Sequence, residues 1–69
     1  MKATIFVNGQ DEPLRADTLS ALIAEKAQQT NRTGIAVALN GAVVPRTAWE
    51  ATTLNPGDRI EIVRVLQGG

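Results

Sequence analysis

The sequence contains no cysteine and no histidine. Without cysteine there is no disulfide framework and no thiolate metal ligand; without histidine there is no imidazole zinc site and no Cys/His or Ser/His nucleophile pair. Charge of one sign is not in excess, because seven Lys and Arg balance seven Asp and Glu. No long-range field therefore draws phosphate backbones or anionic lipid, and neither nucleic acid nor a membrane is expected as a partner. Long hydrophobic runs are missing too. After Met1-Lys2 the apolar run Ala3-Thr4-Ile5-Phe6-Val7 is interrupted by Thr4 and falls short of the ~7 to 15 residues of a signal-peptide core. Nothing approaches the roughly 18 residues of a membrane helix, so cytoplasmic residence is expected.

What is present suits one small folded unit. A length of 69 residues corresponds to a single domain, 1–69, that buries only about 60% of its unfolded surface and depends on a well-patterned core. The chain is 43% hydrophobic and 20% charged, far from the profile of disorder. Seven acids leave a two-carboxylate mechanism open, but a domain of this size rarely offers the deep pocket such chemistry needs. The chain is expected not to be an enzyme by itself and to bind no cofactor or metal of its own.

Taken in order, Ala3-Thr4-Ile5-Phe6-Val7 is β-branched and aromatic and runs into Asn8-Gly9, the dipeptide of a two-residue hairpin with positive φ at both centres. A short return strand over residues 12–16 is expected, at an edge because Pro13 cannot donate to a ladder. Asp17 or Thr18 offers an N-cap, and Leu19, Leu22, Ile23 and Ala27 make one apolar stripe on a helix of about three turns. Glu25, Lys26, Gln28 and Gln29 face water in that helix. The polar stretch ending in Gly34 reads as a loop. Ile35-Ala36-Val37-Ala38-Leu39, a second Asn-Gly at Asn40-Gly41, and Ala42-Val43-Val44 before Pro45 read as a central strand, a tight turn and a short outer strand. A single helical turn over residues 47–51 would hold Trp49, the only tryptophan, more naturally as a core plug than as a binding residue. Asn55-Pro56-Gly57-Asp58 has the proline and glycine that a type II turn requires. The last strand, Arg59-Ile60-Glu61-Ile62-Val63-Arg64-Val65, puts Ile60 and Ile62 on the core side and Glu61, Val63 and Val65 opposite.

That strand leads into Val65-Leu66-Gln67-Gly68-Gly69, and the sequence stops on two glycines. Tails fray whatever they are made of. Yet with glycine at about 7% of residues, two in a row at a given place arise by accident in roughly 0.5% of chains. A terminal Gly-Gly is thin enough to thread a channel that any Cβ would block, and it presents the α-carboxylate of Gly69 as chemistry. Residues 66–69 are expected to form a flexible tail.

The order hairpin, helix, strand, short strand, strand gives an α+β class domain, the ubiquitin-like β-grasp, with one main helix packed on one face of a small mixed sheet. If the first and last strands lie side by side at its centre, the tail leaves unobstructed. Val37-Ala38-Leu39-Asn40-Gly41 with Val44-Pro45-Arg46 and Trp49, then Leu54, Gly57-Asp58-Arg59-Ile60-Glu61-Ile62-Val63 and the ending Gln67-Gly68-Gly69 closely resemble the ThiS family, the sulfur carriers of thiamine biosynthesis. Asn8-Gly9 and Thr18-Leu19 are similar to that family as well. The resemblance implies that a ThiF-type adenylyltransferase, using ATP and Mg, converts the Gly69 carboxylate to an acyl-adenylate. Sulfur from cysteine, through a cysteine desulfurase or another relay, then displaces AMP to leave a thiocarboxylate, and thiazole synthase takes that sulfur into the thiazole ring. Val65, Leu66, Gln67 and Gly68 would be the tail the partners recognise. Two other readings share the same ending: a molybdopterin-type sulfur carrier and a ubiquitin-like protein modifier.

The period of two also defines a docking surface. Thr4, Phe6, Ala36, Ala38, Val63 and Val65 are expected on the sheet face away from the helix, where nothing in the chain covers them, and exposed apolar patches mark interfaces. Arg46 and Arg64 read first as solvated surface charges, and either could instead pair with an acidic patch on the activating enzyme.

Overall fold

The computed structural model describes residues 3–26 and 34–64. Strand β1 (Thr4–Val7) turns into β2 (Gln10–Pro13), helix α1 (Leu19–Lys26) follows, and then come β3 (Ile35–Leu39), β4 (Ala42–Val43), a 3-10 helix (Arg46–Ala51) and β5 (Arg59–Arg64). The five strands form one sheet in the order β2-β1-β5-β3-β4. β1 and β5 run parallel, with Phe6 opposite Arg59 and Val7 opposite Ile60, and the other neighbours are antiparallel. This is the ubiquitin-like β-grasp, with the last strand at its middle. β3 is interior as expected, one place in from the edge strand β4.

Local chemistry explains the turns. Asn8 and Gly9 have φ of 52° and 83°, and Asn40 and Gly41 have 52° and 87°; positive φ at both central residues is the mark of the hairpin turn whose twist matches its strands. Gly57 has φ 85°, and Asp58 N donates to Asn55 O at 3.1 Å, closing the type II turn that Pro56-Gly57 prescribes. The Asp58 carboxylate reinforces that turn by accepting the Asn55 N–H at 2.8 Å.

The core lies between the sheet and α1. Ile5, Val7, Val37 and Ile60 from the strands meet Leu19, Leu22 and Ile23 from the helix, with Trp49 and Leu54 closing one side. Thr18 is the N-cap, since its Oγ1 accepts the Ala21 N–H at 3.2 Å. The helix start is also held from outside: Leu19 N donates to Thr52 O and Leu54 N to Asp17 O, at 2.9 and 3.0 Å. Trp49 is 6% exposed, and it is a core plug.

Two boundaries differ from the sequence pattern. The return strand covers Gln10–Pro13 and does not run to Ala16. Leu14 N still donates to Ala3 O at 2.9 Å, but Leu14 and Ala16 then pack against the core, so burial of their side chains draws the chain off the sheet edge toward α1. The 3-10 helix begins at Arg46, one residue early, because Pro45 O accepts the Ala48 N–H at 2.8 Å. Ala27, Gln28 and Gln29, together with most of the polar loop up to residue 33, lie outside the described residues.

Candidate functional site

β5 is the element that leads to the sequence's Gly-Gly ending. It is hydrogen-bonded on both flanks: β3 pairs with it from Ile35 opposite Arg64 to Leu39 opposite Ile60, while Phe6 N donates to Asp58 O and Asn8 N to Ile60 O, each at 2.9 Å. The tail residues Val65, Leu66, Gln67, Gly68 and Gly69 lie outside the described residues.

Two side chains extend this pairing. Ile62 N donates to Asn8 Oδ1 at 2.8 Å, and Asn8 Nδ2 donates back to Ile62 O at 3.3 Å. At the other end of β5, Arg59 N donates to Asn40 Oδ1 at 2.9 Å, and Asn40 Nδ2 donates to Asp58 Oδ1 at 3.1 Å. The sequence marks both asparagines as turn formers, but their second role rests on contacts between residues far apart in the chain and has no local signal.

The sheet face away from α1 carries Phe6, Ala36, Ala38 and Val63. Their strand neighbours Ile5, Val7, Val37 and Ile60 are buried on the other face, and side chains alternate along a strand. Ala36 stands opposite Val63, and Val63 is 54% exposed. Phe6, Ala36 and Ala38, in contrast, are half-buried, and the Arg59 guanidinium lies over the Phe6 ring, 5.9 Å from the centroid. Phe6 was expected to stand open. It is shielded because a long side chain on the adjacent strand covers its ring. The face is accordingly mixed, with Arg59 and Glu61 between the apolar positions. A hollow of about 720 Å³ lies beside Phe6, Arg59 and Glu61.

Val43 belongs to the same face and is 75% exposed. It stands opposite Ala38, and this was legible: a two-residue turn at Asn40-Gly41 pairs Leu39 with Ala42 and therefore Ala38 with Val43.

The two arginines lie elsewhere. Arg46 borders a second hollow between α1 and the 3-10 helix, beside Ser20, Ile23 and Glu50. Arg64 has the parity of Ile60 and Ile62 and thus the α1 side of the sheet. The single docking surface expected from the sequence is in geometry an outer sheet face plus two separate cations.

Among the described residues no group of three or more His, Cys, Asp or Glu comes together to hold a metal. No helix there is long and apolar enough to cross a membrane. Among the described residues Asp58 holds its turn and Glu12 forms an ion pair with Lys26.

Three comparisons bear on what this arrangement does. The model of the ThiS family matches residues 4–69. The fold is similar to the crystal structure of a thiamine biosynthesis protein (ThiS) from Geobacter metallireducens, with a TM-score of 0.78 and 29% identity over 96% of this chain and 99% of that one. Over 66 residues the chain is 30% identical to a thiazole synthase of Paramagnetospirillum magneticum, covering 94% of this chain. The chain spans 20% of the length of that curated relative.

Proposed function

The chain belongs to the ThiS family, the small sulfur carriers of thiamine biosynthesis, and from that premise we propose that it carries sulfur as a thiocarboxylate on Gly69. The observation that carries this reading is the family match, which runs through the Gln67-Gly68-Gly69 ending, on a fold whose last strand is held at the centre of the sheet.

The chemistry follows from the carboxylate. Its direct displacement would expel oxide, so it must first be activated. One carboxylate oxygen of Gly69 attacks the α-phosphorus of ATP, pyrophosphate leaves, and the terminal sulfur of a persulfide then attacks the acyl carbon and displaces AMP; a thiol reductively cleaves the resulting acyl disulfide, forming a disulfide with the relay sulfur and leaving the thiocarboxylate. The catalytic groups, ATP and Mg belong to a ThiF-type adenylyltransferase, and the sulfur comes from a cysteine desulfurase or another relay. The carrier contributes a rigid body to grip and a side-chain-free end to thread. Phe6, Ala36, Ala38 and Val63, joined by Val43, form the surface it offers to partners, with Arg46 and Arg64 as outlying charges. Leu66, Gln67 and Gly68, with Val65 before them, are read by the partner's channel.

Thiazole synthase is the acceptor in this reading. Support comes from the relative of that name, which carries a segment similar to this chain within its own length. We place the pathway in the cytoplasm, where ATP and the sulfur relay are available.

The test is direct. The protein is incubated with ATP and Mg, the cognate adenylyltransferase and a sulfur source, and its intact mass is measured. Replacement of one carboxylate oxygen by sulfur, followed by loss of that sulfur to thiazole synthase, is the expected result. A chain whose mass never changes would overturn the proposal.

A further inference from the structure

The Asn8 side chain acts as one more residue of β1 would if that strand were longer. β1 ends at Val7, and the backbone turns away at Asn8, whose own N–H donates to Ile60 O at 2.9 Å. Two residues further along β5, the next backbone groups facing this flank are those of Ile62. The Asn8 amide meets both of them, accepting the N–H at 2.8 Å and donating to the carbonyl at 3.3 Å. A primary amide carries the same donor and acceptor as a peptide group, which is why asparagine substitutes for missing strand here. Asn40 is its counterpart at the start of β5, holding the Arg59 N–H and Asp58. Both asparagines have φ 52°. Of the two asparagines only Asn8 grips the end of β5 that continues through Val63 and Arg64, on the flank opposite the β3 pairing that runs to Arg64.

We propose that Asn8 is a positioning residue for the reaction at Gly69, acting through Ile62 to fix the direction in which β5 hands the chain to the tail. The inference rests on the sulfur-carrier reading. Acyl activation needs the reacting atoms held within about 3 to 3.5 Å, and an enzyme that grips the sheet must find the tail leaving it at one place. Loosening Ile62 widens the set of exit directions, so fewer docked carriers bring their carboxylate to the ATP α-phosphate. Docking itself is untouched, because Asn8 is not among the docking residues. The loss therefore falls on kcat and spares KM for the carrier.

The experiment compares three variants of the full chain. Asn8→Gly keeps the positive-φ backbone and removes the amide, Asn40→Gly does the same to the counterpart, and Asn8→Asp keeps only the acceptor for the Ile62 N–H. The readouts are kcat and KM for adenylyltransferase-dependent thiocarboxylate formation, thermal midpoint, and hydrogen exchange at the Ile62 amide. Asn8→Gly is expected to lower kcat on the order of tenfold at unchanged KM and to speed exchange at Ile62. Asn8→Gly and Asn40→Gly are expected to lower the thermal midpoint by similar amounts, Asn40→Gly while keeping kcat, and Asn8→Asp is expected to recover part of the kcat loss. An Asn8→Gly carrier as fast as wild type overturns the inference alone, as does an Asn40→Gly carrier equally slow, which would reduce the effect to stability. A wild type that forms no thiocarboxylate overturns the sulfur-carrier reading and this inference together.

Discussion

The indole nitrogen of Trp49 donates to the carbonyl oxygen of Val44 at 2.9 Å, so one buried side chain both fills the core and ties the 3-10 helix to the segment leaving β4. Trp49→Phe keeps most of the apolar area and removes the donor, leaving a partly buried carbonyl without that partner. The expected loss is about 1 to 3 kcal/mol, read from the urea midpoint. Trp49→Ala adds the cavity and is expected to cost roughly 3 to 5 kcal/mol. Equal losses for the two substitutions would show that the hydrogen bond, not the packing, carries the effect.

Gly57 separates backbone strain from crowding. A Cβ built there meets nothing within 4 Å, yet its φ is 85°. The Cβ of Gly57→Ala therefore meets nothing beyond its chain neighbours, and both Gly57→Ala and Gly57→Val are expected to lose about 1 kcal/mol or more through the left-handed backbone, with valine the worse. Gly57→Asn should lose least, because asparagine tolerates this region. Thermal midpoints in the order Gly, Asn, Ala, Val are the expected series.

Phe6→Asp tests the outer sheet face. The ring is half-buried under Arg59 and outside the core cluster, so the substitution should leave the fold intact at a cost of about 1 kcal/mol. Its new carboxylate stands opposite Asp11 on β2, which adds repulsion that Arg59 offsets. Affinity for the adenylyltransferase should fall by a few kcal/mol, because an apolar contact becomes a charge to be desolvated. Calorimetric titration that finds unchanged binding would remove this face as the docking surface.

One alanine added after Gly69 leaves the sheet and core as they are. It moves the carboxylate about 3.5 Å outward and puts a Cβ beside it. Adenylation should be lost while binding through the sheet persists. Thiocarboxylate formation at the wild-type rate in the extended chain would remove the threading requirement. Gly68→Ala, with the carboxylate in place, tests the channel width alone.

Much of the fold was legible because it is written locally. Asn8-Gly9, Asn40-Gly41 and Pro56-Gly57 each dictate a turn within a few residues, and the alternation Ile5/Val7, Val37 and Ile60/Ile62 identifies the core face without reference to the rest of the chain. What escaped depends on residues distant in sequence. The Asn8 amide finds Ile62 54 positions away, the Arg59 guanidinium covers Phe6 from a neighbouring strand, and β2 ends early because Leu14 and Ala16 are drawn to a core assembled from elsewhere. Among the described residues Phe6, Ala36, Ala38 and Val63 take the face that parity assigns them, but parity does not reveal that Arg59 and Glu61 interleave with them. Arg46 and Arg64 were grouped with that face as charges, although the strand period itself places Arg64 on the other side.

The parallel pairing of β1 with β5 has a mechanical consequence. Force applied through the residues before β1 and after β5 pulls the two strands along their length in opposite directions. Their shared hydrogen bonds, from Gly57 N to Thr4 O through Asn8 N to Ile60 O, are then loaded together in shear instead of opening one by one like a zipper. The Asn8 pair at Ile62 lies in line with them and shares the load. Tension applied beyond the end of β5 therefore meets the sheet along its stiffest direction.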